Sequence, residues 1–259
     1  MMMTTTTSSI LDTRALTQYE RDGFVVVRGL FDAAEMRALR AWVDALGAWP
    51  ETPGQHMMYF EQSLLEPGRR ILCRVENFYP YHHDLHELIE SDKMLGVVAQ
   101  LFGEPAVLFK DKINFKMSGG EGFKAHQDAQ AGWDAYASLH ITAMLSIDPT
   151  TAQNGCLELA PDQHRRGFIG KSWEPLGEED LRGMPFVACP TEPGDAVFFD
   201  SFVPHRSAPN LTPAQRRVLY ITYNRASEGD HRARYYADKR RSYPPDCERE
   251  AGKEYVFRV

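Results

Sequence analysis

The spacing of hydrophobic and polar positions predicts that the chain begins with a helix followed by a buried strand. A short helix is expected over residues 13–22, where Gly23 stops it, and the apolar run Phe24–Val27 then predicts a strand. Asp32 and Glu35 have the three-residue spacing of a capped helix start. The first part of the chain is therefore expected to be mainly helical.

More helix is predicted before residue 105. Apolar residues at helical spacing continue the second helix to Gly47: Met36, Leu39, Val43 and Leu46. The stretch 51–68 is expected to be a long irregular loop because of its proline and glycine content. A pair of helices is then predicted between residues 84 and 102, with Ser91 as an internal cap.

From Pro105 onward the hydrophobic period changes from helical to alternating. Asn154-Gly155 is a hairpin-turn signal before one candidate strand, and Pro193-Gly194 marks a turn before another. Many short strands of this kind predict a mainly β, closed or double-layer architecture with covering helices, rather than a dinucleotide-binding fold. The candidate strands are Ala106–Met117, Ser138–Ile147, Cys156–Leu159, Phe186–Ala188, Asp195–Phe199 and Arg217–Asn224.

Composition and charge narrow the class of protein. The 259 residues include 36 acidic and 29 basic side chains, so the formal net charge is −7 and nucleic-acid binding is not expected. A local basic pocket for one small anion remains compatible with this balance. We expect a flexible N-terminal tail over residues 1–12 and a single domain over residues 13–259.

Nothing in the sequence predicts a membrane partner. No apolar run approaches the ~18 residues of a membrane span, and residues 1–9 lack the features of a signal peptide. Four scattered cysteines, at positions 73, 156, 189 and 247, favour neither a disulfide framework nor a thiolate zinc site. A cytoplasmic location is expected, and the oligomeric state is left open.

The residues His126-Gln127-Asp128 carry the clearest chemical signal. In a strand, residues two apart point to one face, so this imidazole and carboxylate can converge. His205, after the strand that ends near Phe199, supplies a second imidazole. Two histidines and one carboxylate form the facial triad of non-haem iron oxygenases, although H-x-D alone also arises by chance in surface strands.

Arg216 strengthens that interpretation. It begins the alternating strand that runs to Asn224, on the same face as Val218 and Tyr220. A buried guanidinium is costly unless an anion pairs with it. A dicarboxylate that chelates a metal at one end and meets an arginine at the other would supply that anion. The competing interpretation is a solvent-facing strand end paired with an acidic residue.

In these segments the sequence resembles the phytanoyl-CoA hydroxylase family of Fe(II)- and 2-oxoglutarate-dependent oxygenases. The resemblance covers about residues 19–226 and implies a double-stranded β-helix, which is a jelly-roll, cupin-like fold. It is carried by five short stretches: His126-Gln127-Asp128, Asn154-Gly155-Cys156-Leu157, Pro161-Asp162-Gln163-His164, Pro193-Gly194-Asp195, and His205 with Arg216.

The resemblance implies roles for individual residues. His126, Asp128 and His205 would bind Fe(II), and Arg216 would pair with the distal carboxylate of 2-oxoglutarate, with O2 as the other co-substrate. Four more residues match positions near the cosubstrate: Asn114, Phe123, Thr142 and Ser207. Because Asp128 is a carboxylate rather than alanine or glycine, hydroxylation is favoured over halogenation.

Two further segments resemble bacterial family members that hydroxylate 2-aminoethylphosphonate or its N-methylated form. They are residues 74–78 and the C-terminal stretch 235–246. A phosphonate dianion suits lysine and arginine, and an ammonium suits an aromatic ring such as Trp133. The candidate substrate residues are Arg74, Asn77, Lys110, Lys112 and Tyr59, although solvated lysines and an Arg74–Glu76 ion pair are the simpler interpretation.

Other interpretations stay open at this point. The substrate could be an amino acid, a betaine or an acyl thioester, and the chain could instead be a metal-binding β-barrel without catalysis, or a zinc hydrolase. His82, His83 and His86 form a rival metal cluster, although a surface cap is favoured because no glutamate lies between them. The segment Trp173–Asp180 is either a lid or a solvated helix start, and whether the residues after Asp246 close the pocket is undecided.

Overall fold

The structure is a computed structural model that describes residues 10–256. Its helices are α1 Thr13–Asp22, α2 Ala33–Gly47, α3 His83–Ile89, α4 Asp92–Phe102 and α5 Arg232–Ser242. Its strands are β1 Phe24–Val27, β2 Met57–Gln62, β3 Arg70–Glu76, β4 Ala106–Lys116, β5 Phe123–His126, β6 His140–Ser146, β7 Leu157–Leu159, β8 Val187–Cys189, β9 Ala196–Asp200, β10 His205–Ser207 and β11 Arg216–Arg225.

The first two helices begin where side-chain capping predicts. The Asp12 carboxylate accepts a hydrogen bond from the Ala15 backbone N–H at 2.8 Å, and Gly23 ends α1 in the left-handed conformation. Asp32 and Glu35 form the expected reciprocal capping box at the start of α2. Local sequence chemistry therefore sets the start of both helices and the end of α1.

Two antiparallel sheets face each other and form a double-stranded β-helix. The larger sheet has seven strands in the order β1-β9-β6-β11-β4-β3-β2, and the smaller has four in the order β5-β10-β7-β8. Because strand side chains alternate, each large-sheet strand presents one row to the small sheet and another to the helices. The fold predicted from the sequence is confirmed.

The two faces of the large sheet belong to separate cores. On the outer face, α2 and α4 pack with residues such as Ile113, Leu145 and Leu219 into the main hydrophobic cluster. On the inner face, Met144, Val218 and their neighbours pack against the small sheet. The inner face also carries the polar residues from which the site is built.

All six candidate strands are present, with ends that differ by one or two residues. The predicted irregular loop 51–68 is wrong in part because it contains β2, whose residues Met57, Met58 and Tyr59 are buried. Strands β3 and β10 and helix α5 were not predicted, and His205 begins β10 rather than following a strand in a loop. Helix α5 depends on tertiary contacts, since it has almost no apolar stripe of its own and contributes Tyr235 and Tyr236 to an aromatic cluster.

The predicted flexible N-terminal tail, residues 1–12, extends too far along the chain. Residues 1–9 lie outside the described part of the chain. Of the remaining three, Leu11 is buried, Asp12 caps α1, and the backbone N–H groups of Ile10 and Leu11 both donate to the side-chain oxygen of Gln100. Residues 10–12 are therefore packed onto the domain. Within residues 10–256, no helix combines the length and the hydropathy that crossing a bilayer requires.

Candidate active site

His126 and His205 lie side by side across the small sheet. His126 ends β5 and His205 begins β10, and the two residues are direct partners in the strand register, with ring centroids 4.3 Å apart. The Nδ1 atom of His126 lies 2.7 Å from the Lys124 carbonyl oxygen, and that of His205 lies 3.0 Å from the Val203 carbonyl oxygen. These contacts place a proton on each Nδ1, so both Nε2 atoms keep a lone pair for a metal.

Asp128 completes a cluster of three metal-type ligands. One ligand atom from each of His126, Asp128 and His205 lies within 4.8 Å of the others, and Asp128 Oδ1 is 3.9 Å from His205 Nε2. Asp128 starts a short 3₁₀ turn rather than continuing β5, so the expected two-residue strand alternation is wrong in detail. The turn nevertheless returns the carboxylate to the histidines.

The protonation of this cluster suits a metal ion. Burial, and then the neighbouring His205, lower the pKa of His126 to about 3, and burial also lowers the pKa of His205. Burial alone would raise the pKa of Asp128, but the two imidazoles and nearby lysines hold it below its usual value. Two neutral imidazoles and one carboxylate therefore face each other at neutral pH, which is the donor set that a divalent iron site requires.

Thr142 holds the carboxylate in place. Its hydroxyl donates to Asp128 Oδ2 at 3.0 Å and lies 2.9 Å from the Thr222 hydroxyl on the neighbouring strand. Sequence analysis placed Thr142 near the cosubstrate. In the structure it lies behind Asp128, and its hydrogen bond orients that carboxylate.

Arg216 lies buried at one end of the same face. It is 2 % exposed, and one N–H donates to the Gly155 carbonyl oxygen at 2.6 Å. Its Nε has no hydrogen-bond partner among the described residues. The adjacent Arg217 faces the other way and forms ion pairs with Asp148 and Asp44. A buried guanidinium without a carboxylate partner in the described chain fits the distal carboxylate of 2-oxoglutarate.

A second cation accompanies Arg216. Lys116 is its partner in the β4–β11 register, and the Lys116 ammonium donates to the Ser207 hydroxyl at 2.8 Å and the Ala208 carbonyl oxygen at 2.7 Å. Burial, followed by the positive charge of Arg216, lowers the pKa of Lys116 to about 7. Ser207, predicted to lie near the cosubstrate, therefore holds this lysine.

The other predicted cosubstrate residues lie along the same inner face. Asn114 is buried on β4, and its side-chain oxygen has no hydrogen-bond partner among the described residues. Phe123 pairs with Ser207 in the strand register and lines the pocket beside His126. The residues named from the sequence thus extend from the metal cluster toward Arg216.

A small cavity of about 30 Å³ opens in front of the cluster. Of the predicted substrate residues, Arg74, Lys110 and Lys112 line it, whereas Asn77 and Tyr59 do not. Asn77 has a positive φ and instead bonds Arg232 and the Gln55 carbonyl. The full lining is Arg74, Glu76, Lys110, Lys112, Phe123, His126, Asp128, Ala131 and Trp133.

Tyr59 lies beneath this lining rather than in it. The Arg74 guanidinium carbon is 4.4 Å from the centroid of the Tyr59 ring, and that ring stacks on Tyr243 at 5.4 Å. Tyr59 therefore contacts Arg74 without lining the cavity itself.

Sequence reasoning missed three residues of the site. Glu76 lines the cavity, Tyr220 contacts Arg216 and the cation of Lys112, and Lys239 of α5 forms an ion pair with Glu76. Tyr220 could have been found, because it shares the inward parity of Arg216 on β11. Lys239 could not, since nothing local in an exposed-looking basic helix signals an inward lysine.

A larger vestibule of about 610 Å³ adjoins the cavity and shares Lys110 and Ala131 with it. Trp173, from the segment considered as a lid, lies against Gly132 at the wall of the vestibule, and its backbone N–H donates to the Gln130 carbonyl oxygen. Tyr255 and Val256 reach the same vestibule from the C-terminal side. Both segments therefore line the approach to the cavity in this structure.

The rival metal cluster of His82, His83 and His86 does not bring its side chains to a common point. His82 caps α3 and stacks on Trp49, while His86 stacks on Tyr79. Among residues 10–256, the group of three side chains that satisfies metal-ligand spacing is His126, Asp128 and His205. The favoured surface-cap interpretation of His82–His86 agrees with these contacts.

The fold and the site together define a class of protein. It is a double-stranded β-helix that carries a cluster of two histidines and one carboxylate. Comparison with known proteins gives the family. Residues 19–218 match the phytanoyl-CoA dioxygenase family model, and the chain belongs to that family.

Two curated relatives are similar over almost the whole chain. A 2-aminoethylphosphonate dioxygenase from the uncultured bacterium HF130_AEPn_1 is 41% identical over 253 residues, covering 92% of this chain and 91% of that protein. A methylphosphonate hydroxylase from Gimesia maris is 39% identical over 243 residues, covering 93% and 90%. Both relatives are named for oxidation of a phosphonate.

Solved structures support the fold. The ectoine enzyme EctD from S. alaskensis, solved with 2-oxoglutarate and 5-hydroxyectoine, superposes with a TM-score of 0.73 at 21% identity over 86% of this chain and 79% of that one. The epimerase SnoN from nogalamycin biosynthesis superposes with a TM-score of 0.70 at 21% identity over 95% and 96%. At this identity the similarity concerns the fold.

Proposed function

We propose that this chain is an Fe(II)- and 2-oxoglutarate-dependent dioxygenase that hydroxylates a small phosphonate. The leading substrate is 2-aminoethylphosphonate or its N-methylated form, hydroxylated on the carbon next to phosphorus, and methylphosphonate is the nearest alternative. The proposal is supported by the two relatives and by the cationic character of the cavity.

The observation that carries the substrate class is a pair of lysines on one strand. Lys110 and Lys112 line the cavity beside the metal cluster, and neither ammonium group forms a direct hydrogen bond or ion pair with another described residue, although both lie within the field of Glu76. Burial, and then the charge of Lys110, lower the pKa of Lys112 to about 8. Two adjacent ammonium groups that no carboxylate contacts directly create a site for a compact dianion, and a phosphonate is such a group.

This function assigns a role to each group of residues in the site. His126, Asp128 and His205 would hold the iron, while Arg216 and Lys116 would hold the distal carboxylate of 2-oxoglutarate. Lys110 and Lys112 would fix the phosphonate so that one C–H bond faces the metal. Bound iron and 2-oxoglutarate would supply the oxidation of an unactivated C–H bond, and the protein would supply the ligands and the orientation of the substrate.

Turnover with a matched panel tests the proposal. The iron-loaded protein is given 2-oxoglutarate, O2 and one candidate substrate, and succinate and phosphorus NMR are measured. The panel contains 2-aminoethylphosphonate, methylphosphonate, the carboxylate β-alanine, the sulfonate taurine, ectoine and proline. We expect the two phosphonates to stimulate succinate formation most strongly, and zinc-loaded protein to give none. Robust turnover of a non-phosphonate, with no phosphonate above background, would overturn the proposal.

A pair of lysine variants tests the residues. Lys112→Met should raise the KM for the phosphonate by about tenfold or more, because a charge-assisted hydrogen bond is lost. Lys93→Met is the control, since Lys93 pairs with Glu35 in the helical layer, with 41% of its side chain exposed. Equal KM values for the two variants would remove Lys112 from the phosphonate site.

A further inference from the structure

Glu76 occupies a special position in the cavity. Of the residues that line it, Glu76 and Asp128 are the carboxylates, and Asp128 belongs to the metal cluster. A substrate that carries an ammonium group needs an acidic or aromatic partner once it leaves water. Among the residues that line the cavity, Glu76 is the carboxylate available for that role.

Both oxygens of Glu76 are already engaged by the protein. Oε1 accepts from Arg74 Nε at 2.9 Å, and Oε2 accepts from Lys239 Nζ at 2.5 Å. The two cations reach Glu76 from different directions. Arg74 lies two residues earlier on β3 and is buried, whereas Lys239 comes from α5 and also lines the vestibule.

The aromatic faces near the cavity are occupied as well. The Lys110 ammonium lies 5.4 Å from the Trp133 ring centroid and 5.6 Å from that of Tyr235. Tyr59 faces Arg74 on one side and has the Lys239 ammonium 5.7 Å away. The places that could hold a substrate ammonium are therefore filled by cations of the protein itself.

We propose that Lys239 is a specificity-determining residue, because its ammonium occupies on Glu76 the position that the ammonium of an aminoalkylphosphonate would take. An amino-substituted substrate must displace Lys239 into the vestibule, whereas an unsubstituted alkylphosphonate leaves the Lys239–Glu76 pair intact. Lys239 thus sets the preference between these two substrate classes. This inference rests on the proposed phosphonate hydroxylase function.

Competition between the two substrates tests the inference. The quantity measured is the ratio of kcat/KM for 2-aminoethylphosphonate to that for methylphosphonate. In Lys239→Met, Glu76 keeps an open oxygen, so the ratio should rise by about tenfold, mainly through a lower KM for the aminophosphonate. Lys239→Arg retains the charge and should keep the wild-type ratio. If the methionine variant does not fold, Lys239→Gln takes its place, with the same expected direction.

A control on the same helix separates a local effect from a general one. Arg234 lies on α5 with 60% of its side chain exposed, and Arg234→Met should leave the ratio unchanged. An unchanged ratio in the Lys239 variants, with wild-type protein active on phosphonates, overturns the inference alone. An equal loss for both substrates overturns it too, because Lys239 would then bind the phosphonate. A wild type inactive on both phosphonates overturns the proposed function together with the inference.

Discussion

Arg216 and Lys116 are direct partners across β4 and β11, and both are buried cations on the inner face of the sheet. Neither forms an ion pair with a carboxylate of the described chain, and Lys116 is instead held by the Ser207 hydroxyl and the Ala208 carbonyl oxygen. Two like charges in this position oppose each other unless an anion joins them. We therefore expect a carboxylate from outside the chain to join this pair.

Removing either cation should weaken 2-oxoglutarate binding. We expect Arg216→Gln to raise the KM for 2-oxoglutarate by ~10- to 100-fold, and Lys116→Met by about tenfold, because hydrogen bonds to charged groups are lost. The KM for the phosphonate should change much less. Arg21→Gln, at a side chain 68% exposed, is the control. A normal 2-oxoglutarate KM in Arg216→Gln would remove this arginine from the cosubstrate site.

Replacing Asp128 and replacing Thr142 should have effects of different size. Asp128→Ala should abolish succinate formation and iron retention, because the donor set loses its only carboxylate. Thr142→Val keeps the Asp128 carboxylate but removes the hydrogen bond that it accepts from Thr142. Iron affinity or activity should therefore fall by ~10- to 100-fold. Iron content after gel filtration and turnover measure both. Near-normal turnover by iron-loaded Asp128→Ala would exclude Asp128 from the ligand set.

The metal cluster was predictable because His126-Gln127-Asp128, His205 and Arg216 together form a specific combination, although H-x-D alone is common. The sequence supplied His126, Asp128 and His205, but it could not supply the register that makes the two histidines strand partners. It also suggested that Asp128 continues a strand, whereas a 3₁₀ turn returns its carboxylate to the imidazoles. The types of residue thus predicted the cluster correctly, whereas the backbone conformation expected at Asp128 was wrong.

The proposed substrate site was less predictable because part of it combines distant segments of the chain. Lys110 and Lys112 share the parity of one strand, so alternation alone brings them together. The contact between Glu76 and Lys239 spans 163 residues, and α5 has no apolar periodicity to show which side faces inward. Asn77 shows the opposite kind of error, because it was predicted to lie in the substrate site but does not line the cavity. It has a positive φ, and its side chain accepts a hydrogen bond from Arg232 instead.

Gly155 should be intolerant of any side chain because of its surroundings. It has φ +72, and a Cβ there would lie 2.0 Å from the Ala208 carbonyl oxygen and 3.2 Å from Lys116 Nζ. We expect Gly155→Ala to lower the free energy of unfolding by more than the ~1–2 kcal/mol of a left-handed backbone alone, and to raise the KM for 2-oxoglutarate. Gly183→Ala is the matched control, with the same φ of +72 and open space around it. Equal destabilisation in the two variants, measured by urea unfolding, would contradict this prediction.

Asp200 should make the stability of the fold depend on pH between about 4 and 6. Burial raises its pKa from 3.8 to about 6, against the hydrogen bond that its carboxylate accepts from the Phe202 backbone N–H. The folded state therefore binds a proton that the unfolded state releases, and stability falls as pH rises through this window. Across it the loss approaches ~3 kcal/mol at most, from about 1.4 kcal/mol per pH unit. Asp200→Asn keeps the acceptor oxygen and cannot ionise, so its free energy of unfolding should lose this component. Urea unfolding of both proteins from pH 4 to pH 7 measures the difference, and parallel curves over that range would show that Asp200 does not titrate as described.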